Sequence, residues 1–145
     1  MITTEARTLI SKPPAQVFAF IDDLGNTPRW NTRCVEVKQT SPGPRAVGSK
    51  LHYRYQEPGR QGTMDGEMVR YEPGRELAMR YSDKALDVSV EFSLKESGGQ
   101  TELVHRAAIE TRGLLMKLMT PMIRSATRKQ TDQIVARLKE LIEKA

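Results

Sequence analysis

The last third of the chain carries the clearest helical pattern. Between Gly113 and Ala145, apolar residues recur three or four positions apart, which is the spacing of one stripe on an α-helix. Pro121 lies inside this run, and we expect a kink or a break there because proline removes a backbone donor and clashes with the preceding turn. From Pro121 to Lys144 the helix would be about 36 Å long at ~1.5 Å per residue.

The middle of this stripe is small and polar where a core helix would be apolar. Ala126, Thr127, Gln130 and Thr131 take positions that should face the protein interior. Two interpretations are open. The helix covers a cavity at this level, or it has a short solvated gap in an otherwise ordinary core face.

Strand and helix signals alternate at the beginning of the chain. Residues 2–11 alternate in polarity, which predicts a half-buried strand. The prolines in residues 12–14 end that strand and suit the first turn of a short helix that ends near Asp23. Thr27-Pro28 is typical of a capped helix start, so we expect a second short helix that carries Trp30.

The middle of the chain predicts strands alone, separated by turn clusters of proline and glycine. Two glycines in one of these segments, residues 62–71, indicate a bulge and leave its register open. The predicted strands are Cys34–Thr40, Lys50–Gln56, Gly62–Tyr71, Glu76–Ser82, Leu86–Leu94 and Gln100–Thr111. Short turns favour hairpins, so we predict an α+β fold in one domain, residues 1–145. A curved antiparallel sheet of about seven strands wraps around the long C-terminal helix, with two short helices after the first strand.

Bulk composition narrows the class of protein. The 145 residues suffice for a substantial core, and no apolar run approaches the roughly eighteen residues of a membrane span. The start has no apolar signal-peptide core, and the single cysteine, Cys34, cannot form an internal disulfide. We therefore expect a cytoplasmic protein, either a monomer or a homodimer.

Positive charge is concentrated in the C-terminal helix. Residues 113–145 hold seven Lys and Arg against three acids, which accounts for most of the net charge of +5. A basic helix face can meet a membrane surface or RNA, although it is more often simply solvated. We expect no DNA partner.

The inward faces of the predicted strands are rich in tyrosine and methionine, where a plain core would be mostly Leu, Ile and Val. Buried tyrosine hydroxyls and imidazoles need partners, and an apolar pocket with a few polar groups is typical of a small-molecule site. The alternative is a solid core with the tyrosine hydroxyls at the sheet edge. The predicted contacts for a small hydrophobic molecule are Trp30, Tyr53, Tyr55, Met64, Met68, Met79, Tyr81, Phe92, His105, Met119, Met122 and Ala126.

His105 is the best single candidate for a catalytic residue, because an unperturbed imidazole titrates near ~6.5. A core histidine bonded to a tyrosine or to the backbone is the alternative. Asp65 or Glu67 would face inward beside it only if their strand is bulged, and no Gly-x-Ser-x-Gly motif is present. We expect no metal and no cofactor, since the two histidines lie on different strands and no phosphate-binding glycine loop occurs.

Several stretches resemble one known family. They are Lys12 to Phe18, Asp23 to Asn26 leading to Trp30-Asn31, Tyr71 to Leu77, and the closing helix. Together they resemble the polyketide cyclase/dehydrase-type (SRPBCC) branch of the START-like superfamily, which includes the birch-pollen-allergen (Bet v 1-like) fold.

The resemblance implies a helix-grip fold with a cavity between sheet and helix. Family members bind lipids, sterols, quinones, polyketides or plant hormones there, and a minority are cyclases or hydrolases. Three hypotheses follow. The protein binds a hydrophobic or aromatic ligand without catalysis, or it is a cyclase or dehydratase that uses His105 as acid or base, or its basic C-terminal helix forms an interaction surface.

Overall fold

The computed structural model describes residues 1–145 as seven strands, four α-helices and one short 3₁₀ helix, Leu24–Asn26. The strands are β1 (Ile2–Ile10), β2 (Cys34–Gln39), β3 (Lys50–Glu57), β4 (Arg60–Glu72), β5 (Glu76–Ser82), β6 (Leu86–Ser97) and β7 (Gln100–Thr111). The helices are α1 (Pro14–Asp22), α2 (Thr27–Trp30), α3 (Leu114–Leu118) and α4 (Thr120–Lys144). The predicted α+β class and element order are confirmed.

All strands belong to one antiparallel sheet in the order β1-β7-β6-β5-β4-β3-β2. Strands that are consecutive in the chain from β2 to β7 are therefore neighbours in the sheet, as short turns require. Gly59 and Gly74 make the β3–β4 and β4–β5 turns with φ of 74° and 80°, a backbone region that glycine adopts without steric cost. Strand β1 pairs with β7, so β1 and β2 form the two edges of the sheet.

The bulge expected in residues 62–71 occurs in β4 after Met68, and not at either of the two glycines. Register shifts occur in β2 at Cys34/Glu36 and in β4 after Met68. Gly66 instead leaves room for the ring of Tyr81, because a Cβ there would come within 2.6 Å of the ring atom Cε1. With a regular register up to Met68, Asp65 lies exposed and Glu67 pairs with Lys50 on the outer face. Neither acid faces inward, so neither lies beside His105.

The predicted break at Pro121 is confirmed. The helical segment α3 ends at Leu118, and α4 begins at Thr120 with Pro121 in its first turn, where the missing N–H costs nothing. With 25 residues, α4 is about 37 Å long at ~1.5 Å per residue. Neither α4 nor any other helix combines the length and the apolar composition needed to span a bilayer.

Helix α4 lies along β1, the strand at one edge of the sheet. Side chains of α4 bind the backbone of that strand and of the residue after it. The bonds are Arg128 Nη1 to the Glu5 carbonyl (2.7 Å), Lys139 Nζ to the Leu9 carbonyl (2.5 Å), and the Ser11 N–H to Glu143 Oε2 (2.8 Å). These bonds fix the position of α4 over the sheet.

The solid core occupies one part of the space between the sheet and the helices. Val17, Phe18 and Ile21 of α1 are buried in one cluster with Phe92 of β6 and Leu103 of β7. Leu138 and Ile142, near the C-terminal end of α4, join the same cluster. The N-terminal half of α4 covers a different part of the sheet, where the packing is open.

Candidate ligand-binding site

A cavity of about 240 Å³ lies between the sheet and the N-terminal half of α4. Most of its lining is apolar. Val88 and Val90 of β6 and Ala107 and Ile109 of β7 form its floor, and α3 contributes Met116. Alternation along β6 and β7 places these side chains on the concave face, so the sequence pattern contained the signal for them.

The unusual middle of the α4 stripe faces this cavity. Ala126, Thr127, Gln130 and Thr131 all line it, so the cavity interpretation of that stretch is the one that holds. Thr127 and Thr131 turn their hydroxyls back to carbonyls one turn earlier on the helix, at 2.7 and 2.8 Å. The helix thus presents small side chains to the space and leaves room for a ligand.

The structure brings most of the predicted contact residues together. Those that line the cavity are Trp30, Tyr53, Tyr55, Met64, Met79, Tyr81, His105 and Ala126. Met68 and Phe92 do not line it, although both are completely buried. The Phe92 ring stacks on His105 with centroids 4.5 Å apart and meets Trp30 edge-on at 5.5 Å, so it supports the wall from behind.

Met119 and Met122 also lie outside the cavity, and their assignment as contacts is corrected. Met122 is 66% exposed and Met119 37%. Met119 lies between α3 and α4, where the helical spacing is interrupted, and Met122 lies on α4 one turn before Ala126, where its side chain faces solvent. Met116 of α3 lines the cavity in their place.

His105 is a buried acceptor in the cavity wall. Its Nδ1 lies 3.2 Å from the carbonyl oxygen of Glu91. Because a carbonyl only accepts, Nδ1 carries the proton and the lone pair is on Nε2, which has no protein partner. Burial lowers the pKa of His105 to about 4, with the Glu91 contact opposing the shift, so the ring is neutral at physiological pH.

A second unpaired polar group belongs to Trp30. The indole is 4% exposed and lines the cavity, and its Nε1–H has no hydrogen-bond acceptor in the protein. A buried donor without a partner is costly and uncommon in folded proteins. The residues that line the cavity therefore include one unpaired donor and one unpaired acceptor, both on neutral side chains.

Two tyrosine hydroxyls add polar groups that already have partners in the protein. The Tyr53 hydroxyl accepts from Asn31 Nδ2 at 3.3 Å and also forms a hydrogen bond with the side chain of Cys34. The Tyr81 hydroxyl donates to Met79 Sδ at 3.4 Å, a weak acceptor. Burial raises the pKa of both tyrosines, so both hydroxyls stay protonated.

Charged residues at the rim of the cavity are paired with one another. Arg33 Nη1 lies 3.3 Å from Glu57 Oε2 and donates to Gln130 Oε1 at 3.1 Å, which ties the segment before β2 to α4. Arg60 lies 3.3 Å from Asp83 and covers the Tyr55 ring at 5.2 Å. Sequence reasoning missed these groups because Arg33 and Asp83 lie outside the strands, and Glu57 and Arg60 are the end residues of β3 and β4, where alternation gives no signal.

An antiparallel sheet wrapped on one long C-terminal helix, with a cavity between them, defines a START-like protein of the helix-grip class. The family model described as "Polyketide cyclase / dehydrase and lipid transport" matches residues 1–143. The chain belongs to this family, which confirms the resemblance noted from its sequence motifs.

Solved structures share the fold at low sequence identity. The Zhui aromatase/cyclase from Streptomyces sp. R1128 aligns with a TM-score of 0.82 and 13% identity, over 98% of this chain and 93% of that one. A START superfamily protein from Mycobacterium smegmatis gives 0.79 and 12%, over 98% and 97%. The protein TTHA0849 from Thermus thermophilus gives 0.80 and 11%, over 97% and 96%. These similarities establish the fold alone, and no curated protein matches the sequence.

Proposed function

We propose that the protein binds a small, uncharged and mainly apolar ligand in the cavity between the sheet and α4. The observation that carries the proposal is the pairing of an apolar wall with two unsatisfied neutral groups, the Trp30 indole N–H and His105 Nε2. A ligand hydroxyl that donates to His105 Nε2 would satisfy the acceptor, whereas the Trp30 N–H has almost no accessible surface, so the indole would have to move before a ligand oxygen could reach it. Lipids, polyketides and reduced quinones of small size combine such groups with an apolar frame.

Size and charge restrict the ligand further. Ligand pockets commonly measure ~300–1,000 Å³, so a cavity of about 240 Å³ favours one or two fused rings or a short chain. The arginines of the rim already have carboxylate partners, and a charged ligand would leave its charge desolvated in the apolar interior. Apolar contact supplies affinity at ~25 cal/mol per Å², before the costs of binding.

The histidine environment favours binding over acid–base catalysis. General acids and bases work best with a pKa near the working pH, and the pKa of His105 is about 4. Its Nδ1 partner is a backbone carbonyl and not a carboxylate, so an imidazolium would gain little stabilisation. We therefore assign His105 as the acceptor for a ligand hydroxyl, and we do not favour the cyclase or dehydratase hypothesis.

Native mass spectrometry of the protein as purified is the first test. An excess mass of a small organic molecule that disappears on denaturation would support an occupied cavity. Titration calorimetry of the apo protein with 2-naphthol and with 2-methoxynaphthalene then tests the polar contact. Because only the naphthol can donate to His105, we expect it to bind about tenfold more tightly.

The variant His105→Phe is the matched comparison, since it keeps a ring in the wall and removes the acceptor. In this variant the preference for 2-naphthol should disappear while 2-methoxynaphthalene still binds. Equal binding of both probes to the unmodified protein would overturn the role of His105. Failure of both probes, together with a clean apo mass, would overturn the proposed function.

A further inference from the structure

Five of the nine exposed large apolar side chains of the molecule lie on α3 and at the start of α4. Leu114, Leu115 and Leu118 are 77%, 72% and 71% exposed, and Met119 and Met122 continue the surface. We call these five residues the α3 face. No buried residue occurs in α3, so its leucines do not serve the core. Contiguous exposed apolar patches of this kind mark interaction sites, whereas single exposed apolar residues do not.

The charge around the α3 face has one sign. From Thr111 to Thr131 the chain contains five Lys and Arg and no Asp or Glu. Arg112 and Arg128 have carboxylate partners. Lys117, Arg124 and Lys129 form no ion pair, so their charges remain available. The patch is therefore apolar at its centre and cationic at its margin.

We propose that the α3 face docks the protein on the surface of a bilayer that contains anionic phospholipid. Leucine and methionine side chains enter the boundary between headgroups and acyl chains, and neighbouring lysines and arginines meet the anionic headgroups. A second copy fits poorly, because a symmetric contact through this face would bring its unpaired cations together. RNA phosphates would use the cations and leave the five apolar side chains exposed to water.

Docking here would bring the cavity to the membrane surface. Met116, between Leu115 and Leu118 on α3, lines the cavity, and so does Ile123 in the first turns of α4. The docking surface and the cavity wall are thus two sides of the same short segment. The inference concerns the outer side only and stands whether or not the cavity holds a ligand.

Co-sedimentation with extruded vesicles tests the proposal on the full chain. Vesicles of phosphatidylcholine alone are compared with vesicles of phosphatidylcholine and phosphatidylglycerol. The protein should sediment with the mixed vesicles at low salt and less strongly as ionic strength rises. The double variant Leu115→Glu/Leu118→Glu should lower the partition coefficient at least about a hundredfold, because two apolar contacts are lost and two like charges face the lipid.

Val47→Glu is the matched control. Val47 is also exposed, but it lies in the β2–β3 loop and not on the α3 face, so the partition coefficient of the Val47→Glu variant should not change. Circular dichroism checks that each variant is folded, and Leu118→Ser provides a milder variant with partial loss. No sedimentation with mixed vesicles would overturn the proposal. So would equal binding to both vesicle types, equal loss in Val47→Glu, or a dimer that the leucine variants abolish.

Discussion

The hydroxyl of Thr4 on β1 donates a hydrogen bond to the hydroxyl of Thr131 on α4 over 2.7 Å. The direction follows because Thr131 uses its own proton on the carbonyl of Thr127 at 2.8 Å. Both threonines are buried, and Thr131 also lines the cavity. The sheet and the helix are therefore joined by a polar pair at the border of the apolar space.

Removing both partners of this pair should cost less than the two single removals added together. Thr131→Val leaves the Thr4 hydroxyl without an acceptor in a buried position, so we expect a loss of about 1–3 kcal/mol in the free energy of unfolding. In the double variant Thr4→Val/Thr131→Val the total cost should be less than the sum of the two single costs. Urea denaturation of the four proteins measures the coupling. Simple additivity would show that the hydroxyl pair contributes nothing specific.

Filling the cavity should separate binding from folding. Ala126→Trp places an indole in the cavity from α4, and we expect the affinity for 2-naphthol to fall more than about a hundredfold while the melting temperature changes little. Ser125→Trp is the control, since the neighbouring position is exposed and lies outside the cavity wall. Calorimetric titration and thermal unfolding of both variants measure the two effects. Unchanged affinity in Ala126→Trp would contradict the placement of the ligand.

Acid should destabilise the fold through His105. In the unfolded chain the imidazole takes up a proton near its usual pKa of 6.5, whereas burial holds the pKa in the folded state at about 4. Stability is therefore full above pH 6.5 and falls as the pH drops toward 4, by about 3 kcal/mol in total. Below that range both states bind the proton and this contribution is constant.

The variant His105→Gln removes the buried imidazole. The free energy of unfolding should then change less steeply with pH between pH 6.5 and 4. His52→Gln serves as the control, because it removes the other histidine from a partly exposed position on β3. Denaturant titrations at several pH values give the slopes. An unchanged slope in His105→Gln would mean that carboxylates alone account for the acid sensitivity.

Gly66 on β4 should not tolerate a side chain. An added Cβ would overlap the ring of Tyr81 and come within 3.1 Å of the Arg80 carbonyl, so the ring would have to move. We expect Gly66→Ala to destabilise the fold by about 1–3 kcal/mol, the usual cost of overpacking. Adding Tyr81→Leu, a smaller side chain, should recover part of this loss. Thermal unfolding of the single and double variants measures this recovery of stability. If the double variant recovers none of it, the clash is with the backbone carbonyl of Arg80 and not with the Tyr81 ring.

Local signals in the sequence predicted the sheet, the helices and the break at Pro121. Two of these signals are local properties of the sequence: the alternation along a strand such as β6, and the proline or glycine turns between strands. Both can be recognised without knowledge of the fold. The long helix α4 was equally visible, because its apolar stripe persists over many turns. The family motifs then supplied the overall arrangement.

The level at which the cavity begins along each strand was not predictable. Val90 and Phe92 share one face of β6, yet Val90 lines the cavity while Phe92 is enclosed by His105 and Trp30. That difference depends on where other elements pack over the sheet, which period-two alternation does not encode. The pairing of Arg33 with Glu57 at the rim likewise joins positions far apart in the chain.

The bonds from α4 to the backbone of β1 have a further consequence, for solubility. A strand at the edge of a sheet is a template for pairing with another chain, and proteins protect such edges by covering them or placing charges on them. Here the Glu5 and Leu9 carbonyls and the Ser11 N–H are held by Arg128, Lys139 and Glu143. The terminal helix thus shields β1 from aggregation, so a chain that loses α4 would expose a strand edge together with the apolar floor of the cavity.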